Sequence, residues 1–461
     1  MAHLIEQFKK ILTKERILSE SAIKERYHHI WKMDEPLQAK AFLLPKSTED
    51  VANIMKVCHS EQQPVVVFGG LTNLVGSTET TADEVVISLE KMNQLVEIDT
   101  QSRTLTVEAG AILENVQQWA SAQGLLFPLN FGAKGSAQIG GAISTNAGGL
   151  RVLRYGMTRN LILGLEVVLA DGTILSNLKK IVKDNSGYDL KQVFIGSEGT
   201  LGIVTKAVLK LVEAPSSRVT AWVACSSYPK VTQLLRFMDQ GMAGLLSGFE
   251  LVWNESFKTL TADSSVKTTP LPLNYPYYVL VEGMGSNRTK DQALLEALLE
   301  EAFKEELIED AAIAYSSSEL AAFWHIRENV DALVATCEHD QHFDISVPIS
   351  AIGDTVTKIT QELHQIEGVN KVYAFGHVAD GNIHFIVGKS NTTDQLRKQI
   401  DAVVYGPIPA LNGSVSAEHG IGNHKKAYLK NCRTAEEILT MRLLKDSLDP
   451  HHILNRGKVL A

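Results

Sequence analysis

His377 and His384 stand on either side of Asp380-Gly381 in the run Gly376-His377-Val378-Ala379-Asp380-Gly381-Asn382-Ile383-His384. Asp-Gly is a strong two-residue hairpin signal, because a type I′ turn needs positive φ at both central positions. With those residues in the turn, Ala379 pairs with Asn382 and His377 with His384, which puts two imidazoles on one face with Cβ atoms about 5 Å apart. That spacing suits a shared divalent metal; an ordinary hairpin with two half-buried histidines reads equally well from these residues alone. The run Val415-Ser416-Ala417-Glu418-His419-Gly420-Ile421-Gly422 adds a carboxylate, Glu418, and a further imidazole, His419. Neighbours on a regular strand point to opposite faces, so Glu418 and His419 can share a site only on irregular backbone, and Gly-Ile-Gly predicts that irregularity. Arg327, in Phe323-Trp324-His325-Ile326-Arg327-Glu328, offers a planar donor fork for a carboxylate. Helical spacing also allows it a surface ion pair with Glu328 or Asp331.

A second kind of chemistry is written in glycine. Gly69, Gly70, Thr72, Asn73, Gly76 and Ser77 follow an apolar run and supply N–H groups that can converge on an anion. A Gly-Gly pair in that place is also a plain turn signal. A second stretch holds Gly135, Ser136, Gly140 and Gly141 and runs on to Asn146 and Gly149; a third holds Glu198, Gly199 and Ile203. Glycine weakens helices and strands through its backbone entropy, so something other than core packing must use this backbone. One long dinucleotide threaded along the domain accounts for all three stretches. No Gly-x-Gly-x-x-Gly opens a helix, which counts against a Rossmann NAD enzyme.

These stretches, together with Lys183-Asp184-Asn185-Ser186-Gly187-Tyr188-Asp189-Leu190, resemble the FAD-linked oxidases of the vanillyl-alcohol oxidase type, in particular their D-lactate, glycolate and D-2-hydroxyglutarate dehydrogenase branch. The resemblance covers nearly the whole chain and is most specific over residues 128–205. It implies an α+β fold: a two-subdomain FAD-binding domain and an α+β substrate (cap) domain, with a C-terminal segment around Asn455 returning to the flavin domain. It further implies FAD held by the three loops with its isoalloxazine at the domain boundary, zinc or manganese on His377, His384 and Glu418, His419 as catalytic base, and Arg327 on the substrate carboxylate. The first loop departs from the family in Asn73 and Ser77, and the tail reads Asn455-Arg456-Gly457-Lys458 where Asn-Pro-Gly-Lys is usual. Relatives with covalent FAD use a histidine in the first loop; residues 64–77 contain none, so noncovalent FAD is expected.

The substrate so implied is a small 2-hydroxy acid. Where the D-2-hydroxyglutarate branch carries Thr, Lys and Asn around the substrate, this chain has Asp331, His342 and Ile386. An Asp repels a second carboxylate and an Ile cannot hydrogen-bond one. The expected substrate is therefore D-lactate or another short or apolar D-2-hydroxy acid; D-2-hydroxyglutarate, and metal-independent flavin oxidation of another alcohol, are the alternatives. Electrons must leave to oxygen, a quinone or a carrier flavoprotein.

Positioning these groups takes more than one core, and 461 residues suggest two or three domains. The pattern of elements divides the chain near residues 215 and 425; the resemblance implies residues 1–215 as the FAD-binding domain, 216–425 as the substrate domain with the metal site, and 426–461 as a segment packing on the former. Helix is expected from Met1 to the turn near Asp34-Glu35-Pro36 and over Asp291 to Phe303, Ser318 to Ala335 and the final segment. Ser47-Thr48-Glu49-Asp50 resembles a capping box, and strands are expected at Pro64 to Phe68, Val85 to Leu89, Leu95 to Asp99 and Thr104 to Glu108. A net charge of -9, with Lys179-Lys180 and Lys425-Lys426 the tightest basic pairs, disfavours nucleic acid as a partner. Cys58, Cys225, Cys337 and Cys432 are scattered, as in a reducing compartment. The N-terminus lacks the apolar core of a secretory signal and no run is long enough to span a bilayer, so the cytoplasm is the default expectation. A homodimer is compatible with all of this.

Overall fold

The structure, a computed structural model, describes residues 2–18, 22–23 and 36–460. Asp34 and Glu35 of the expected turn lie outside the described residues. The chain divides into two units, one built from residues 1–148, 156–214 and 418–461 and the other from residues 149–155 and 215–417. The second unit thus ends at Ala417 rather than near residue 425.

In the first unit Ala41–Leu43, Val85–Ser88 and Val65–Phe68 form parallel neighbours, and a five-stranded antiparallel sheet runs in the order Leu95–Asp99, Thr104–Glu108, Ile203–Lys210, Ile162–Val168, Ile174–Asn177. Ser47 caps the helix Thr48–Ser60, its side chain accepting the Asp50 N–H, and Val51, Ile54, Met55 and Cys58 are buried at helical spacing. The box is only half formed: the Asp50 carboxylate accepts from Lys46 N–H and Arg16 instead of from Ser47. The first helix ends at Phe8, and at Ile17–Leu18, where helix was expected, pairing with the strand Ala41–Leu43 overrides local helix propensity; residues 19–21 and 24–35 of that expectation lie outside the described residues. At the far end Leu454 bridges to Val65, and the Asn455 side chain accepts from Val67 N–H and donates to the Glu198 carbonyl. The C-terminal segment is therefore stitched into this unit.

The second unit is a seven-stranded antiparallel sheet in the order Asp310–Ile313, Ser217–Cys225, Tyr277–Gly285, Leu246–Trp253, Val369–Gly376, Asn382–Lys389, His339–Ser346. Trp222, Phe257, Tyr278, Trp324, Leu333, Phe375 and Ile386 belong to one apolar cluster that joins this sheet to the helices Asn254–Ala262, Ser317–Glu328 and Val330–Val334. The single helix expected over Ser318 to Ala335 breaks at Asn329 (φ −77, ψ 55). The break turns Ala332, Leu333 and Val334 onto the same cluster. Among the described residues, three carboxylates are buried on strands of this sheet: Glu250, Glu282 and Asp344. Burying an ion costs several kcal/mol, so each needs full pairing. Glu282 obtains it from Arg151, Arg218, Trp324 Nε1 and Ser247.

Candidate active site

The histidine hairpin forms, with a different turn. Val378–Asp380 is a short 3-10 segment and only Gly381 has positive φ (+86). A type I′ turn needs positive φ at both central residues; Asp380 does not adopt it, and the turn is wider than two residues. His384 consequently pairs with Phe375, not with His377. His377 sits just beyond the strand end, where its carbonyl accepts from Asp380 and Asn382 N–H. The imidazoles still meet, with ring centroids 5.2 Å apart and nearly perpendicular. Gly376 permits this fold-back: a Cβ there would lie 2.3 Å from the Asn382 carbonyl oxygen.

Glu418 follows directly on Ala417, whose N–H is held by the Asp344 carbonyl. One ligand atom each from His377, His384 and Glu418 lie within 4.8 Å of one another. The donor set, two imidazoles and a carboxylate, is that of catalytic zinc sites with an open position. The expected irregular backbone around Glu418-His419 is present, ending in Gly420 (φ +85) and Gly422 (φ +52).

Arg327 is buried and forms no surface pair with Glu328 or Asp331. Its Nε and a terminal nitrogen donate to Glu250 Oε2 at 2.9 and 2.7 Å, while Glu250 Oε1 faces His377 Nδ1 at 2.7 Å. Burial pushes the Glu250 carboxyl up, but the adjacent His377 and Arg327 outweigh burial and hold it below its ordinary value. Asp380 is raised to about 6 by burial, opposed by His377 and reinforced by Glu250. Glu250 escaped the sequence reading; the signal was a single carboxylate in the strand Leu-Ser-Gly-Phe-Glu-Leu-Val-Trp.

In the first unit the glycine stretches converge. A Cβ on Gly70 would lie 2.0 Å from the Ser136 carbonyl oxygen, one on Gly140 would meet Ala109, and one on Gly199 would meet Asn455. Those glycines are required by packing. Gly141 differs: its Cβ would meet nothing within 4 Å, beside Gly69. An open cradle where the Gly69 loop meets the helix Ile139–Ser144 fits a group that is not protein. Gly135 is likewise uncrowded, Gly76 and Asn146 have positive φ, and Asn73 accepts from Ser77 N–H. Thr72 is half-buried and Ile203 opens a buried strand. Gly149 (φ +139) begins the short segment assigned to the second unit. The Glu198 carboxylate is taken by protein groups: it accepts from Ser77 Oγ and from Ile421 and Gly422 N–H at 2.7, 2.6 and 2.9 Å. Burial raises its pKa, those three hydrogen bonds opposing.

Of the three substrate-reading positions, Ile386 is in the apolar cluster, His342 Nε2 lies 2.6 Å from the Asp340 carboxylate, and Asp331 is exposed.

Residues 39–177 match the model of the FAD binding domain, and residues 214–459 match that of the FAD linked oxidases, C-terminal domain. Relatives include the mitochondrial D-2-hydroxyglutarate dehydrogenases of Arabidopsis thaliana, 36% identical over 99% of this chain and 81% of that one, and of Danio rerio, 38% identical over 91% and 78%. The structure of p-cresol methylhydroxylase with substrate bound superposes with a TM-score of 0.78 at 16% identity, covering 99% of this chain and 96% of that one, which shows the same fold. The relatives' mitochondrial names overturn the cytoplasmic expectation, which rested on scattered cysteines and on the lack of a secretory signal core and of a membrane-spanning run. Among the described residues no helix is long and apolar enough to cross a membrane.

Proposed function

This chain belongs to the FAD-linked oxidase family and is an FAD-dependent D-2-hydroxy-acid dehydrogenase, and we propose that its substrate is a short or apolar D-2-hydroxy acid of the D-lactate kind. Gly69 to Ser77, Gly135 to Asn146, Gly149, Glu198 to Ile203 and Asn455 hold FAD without a covalent bond, and His377, His384 and Glu418 hold a zinc or manganese ion. When bound, FAD supplies a hydride acceptor and the ion a Lewis acid that lowers the pKa of a coordinated hydroxyl. Arg327, its Nε edge held by Glu250, presents its remaining N–H groups to the α-carboxylate and so orients the acid. His419, with an unperturbed pKa near 6.5 for its residue type, takes the hydroxyl proton.

The observation that carries the substrate reading is Ile386. It lies two residues beyond His384 on the same strand and is 1% exposed within an apolar cluster. Asp331 adds a negative charge and His342 is already paired with Asp340, so nothing at these positions compensates a distal carboxylate. The relatives' names favour a second reading, D-2-hydroxyglutarate. Anaerobic bleaching of the flavin band against a panel of D- and L-2-hydroxy acids decides: D-lactate is expected to give the larger kcat/KM. A larger value for D-2-hydroxyglutarate refutes the proposal, and full activity of metal-free protein refutes the role of the ion.

A further inference from the structure

Glu250 lies inside the second unit's sheet, 1% exposed, with both carboxylate oxygens engaged: Oε1 with His377 Nδ1, Oε2 with two nitrogens of Arg327. Strand register sets the first contact. Leu251 is opposite Gly376 and Val252 opposite Phe375, so the next step of the ladder brings Glu250 to His377. The helix Ser317–Glu328 sets the second, delivering Arg327 from its last turn, and the guanidinium lies 4.9 Å from the Phe375 ring centroid.

Stability is a poor account of this arrangement, since a buried ion pair can commonly be replaced by apolar side chains without loss. Orientation is a better one. A carboxylate only accepts, so the His377 nitrogen facing it carries the proton and the ring's lone pair is on Nε2, the tautomer a ligand needs. The two bonds to Oε2 fix the plane of the guanidinium.

We propose that Glu250 is a positioning residue that sets, with one carboxylate, both the ligating tautomer of His377 and the orientation of Arg327. The proposal rests on reading His377 as a metal ligand and Arg327 as the carboxylate grip. One carboxylate thereby serves both ends of the substrate's head group, so losing Glu250 disturbs both.

The test is titration of the metal-free, FAD-loaded protein with Co²⁺, followed by its visible bands, alongside KM for D-lactate. Glu250→Gln keeps the side chain's shape but only one accepting oxygen. It is expected to bind Co²⁺ about 10–100-fold more weakly, the usual scale for loss of a ligand's hydrogen-bond partner, and to raise KM in parallel. Arg327→Lys is expected to raise KM with the Co²⁺ affinity unchanged. Glu250→Asp, which keeps two acceptors, recovers part of the affinity and also serves if the Gln variant does not fold. Wild-type affinity and KM in Glu250→Gln, with flavin absorbance and Tm intact, overturn the proposal while leaving the metal reading standing. A wild-type protein whose Co²⁺ bands are absent, or survive His384→Ala, overturns the metal reading itself.

Discussion

Glu198→Gln tests how the His419 loop is held. The wild-type carboxylate receives Ser77 Oγ–H, Ile421 N–H and Gly422 N–H. The amide offers one accepting oxygen, and its NH₂ opposes whichever N–H remains. One buried backbone donor left unsatisfied costs about 1–3 kcal/mol, which for a unit of this size lowers Tm by roughly 2–10 °C. A charge-loss penalty does not add to this, because the raised pKa shows that burial outweighs the three hydrogen bonds to the ionised form. The same shift fixes a sign. A carboxyl whose folded pKa is raised contributes stability that is present below its unfolded value of 4.5 and is lost as pH rises through the folded value. The wild-type advantage over Glu198→Gln should therefore shrink as pH is raised from 4 upward. Thermal unfolding of the FAD-loaded proteins across that range measures both quantities. Because Ile421 and Gly422 follow His419 so closely, flavin reduction at saturating D-lactate is also expected to slow by roughly 10–100-fold, the scale of a misplaced reacting group. An unchanged Tm and rate, or an advantage that grows with pH, refutes the reasoning.

His419→Ala should retain FAD and metal yet reduce its flavin at least about 100-fold more slowly, the scale of general-base catalysis; stopped-flow rates equal to wild type would remove His419 from the mechanism. Gly141→Ala should leave the Tm of FAD-stripped protein unchanged and weaken FAD binding, since its Cβ meets no protein atom; unaltered FAD affinity by fluorescence titration would place the cofactor elsewhere. Gly70→Ala should lower Tm even without FAD, because its Cβ would collide with the Ser136 carbonyl, and a wild-type Tm would contradict that packing. Cys58 and Cys225, pushed up to about 12 by burial, should resist iodoacetamide at pH 8 until the protein is denatured; mass spectrometry showing native labelling at either would disprove their burial.

Local chemistry was legible in the sequence because it is carried by neighbours along the chain. Ser47 caps its helix through Asp50, Val51 to Cys58 bury one helical face, and Asp380-Gly381 turns the chain between two histidines. The FAD-binding domain was legible in the glycine stretches for the same reason, although Gly70, Gly140 and Gly199 answer to close packing against protein atoms. The hairpin register was misread because the ladder with Val369–Gly376 sets His384 opposite Phe375, a long-range choice that the Asp380-Gly381 pair does not encode. The strand at Ile17–Leu18, where helix was expected, likewise depends on a distant partner, Ala41–Leu43.

By itself the sequence determined which groups are available: two histidines and a glutamate able to ligate, a further histidine, an arginine, and loops able to cradle a dinucleotide. Tertiary structure alone decided how those groups are oriented. Glu250 reaches His377 across 127 residues and Glu198 reaches Ile421 across 223, each as a buried carboxylate. Nothing local calls for a charge at either position. Strands, a helix and loops from distant parts of the chain bring donors to them, and only then do the tautomer of His377, the plane of Arg327 and the loop beyond His419 acquire fixed directions.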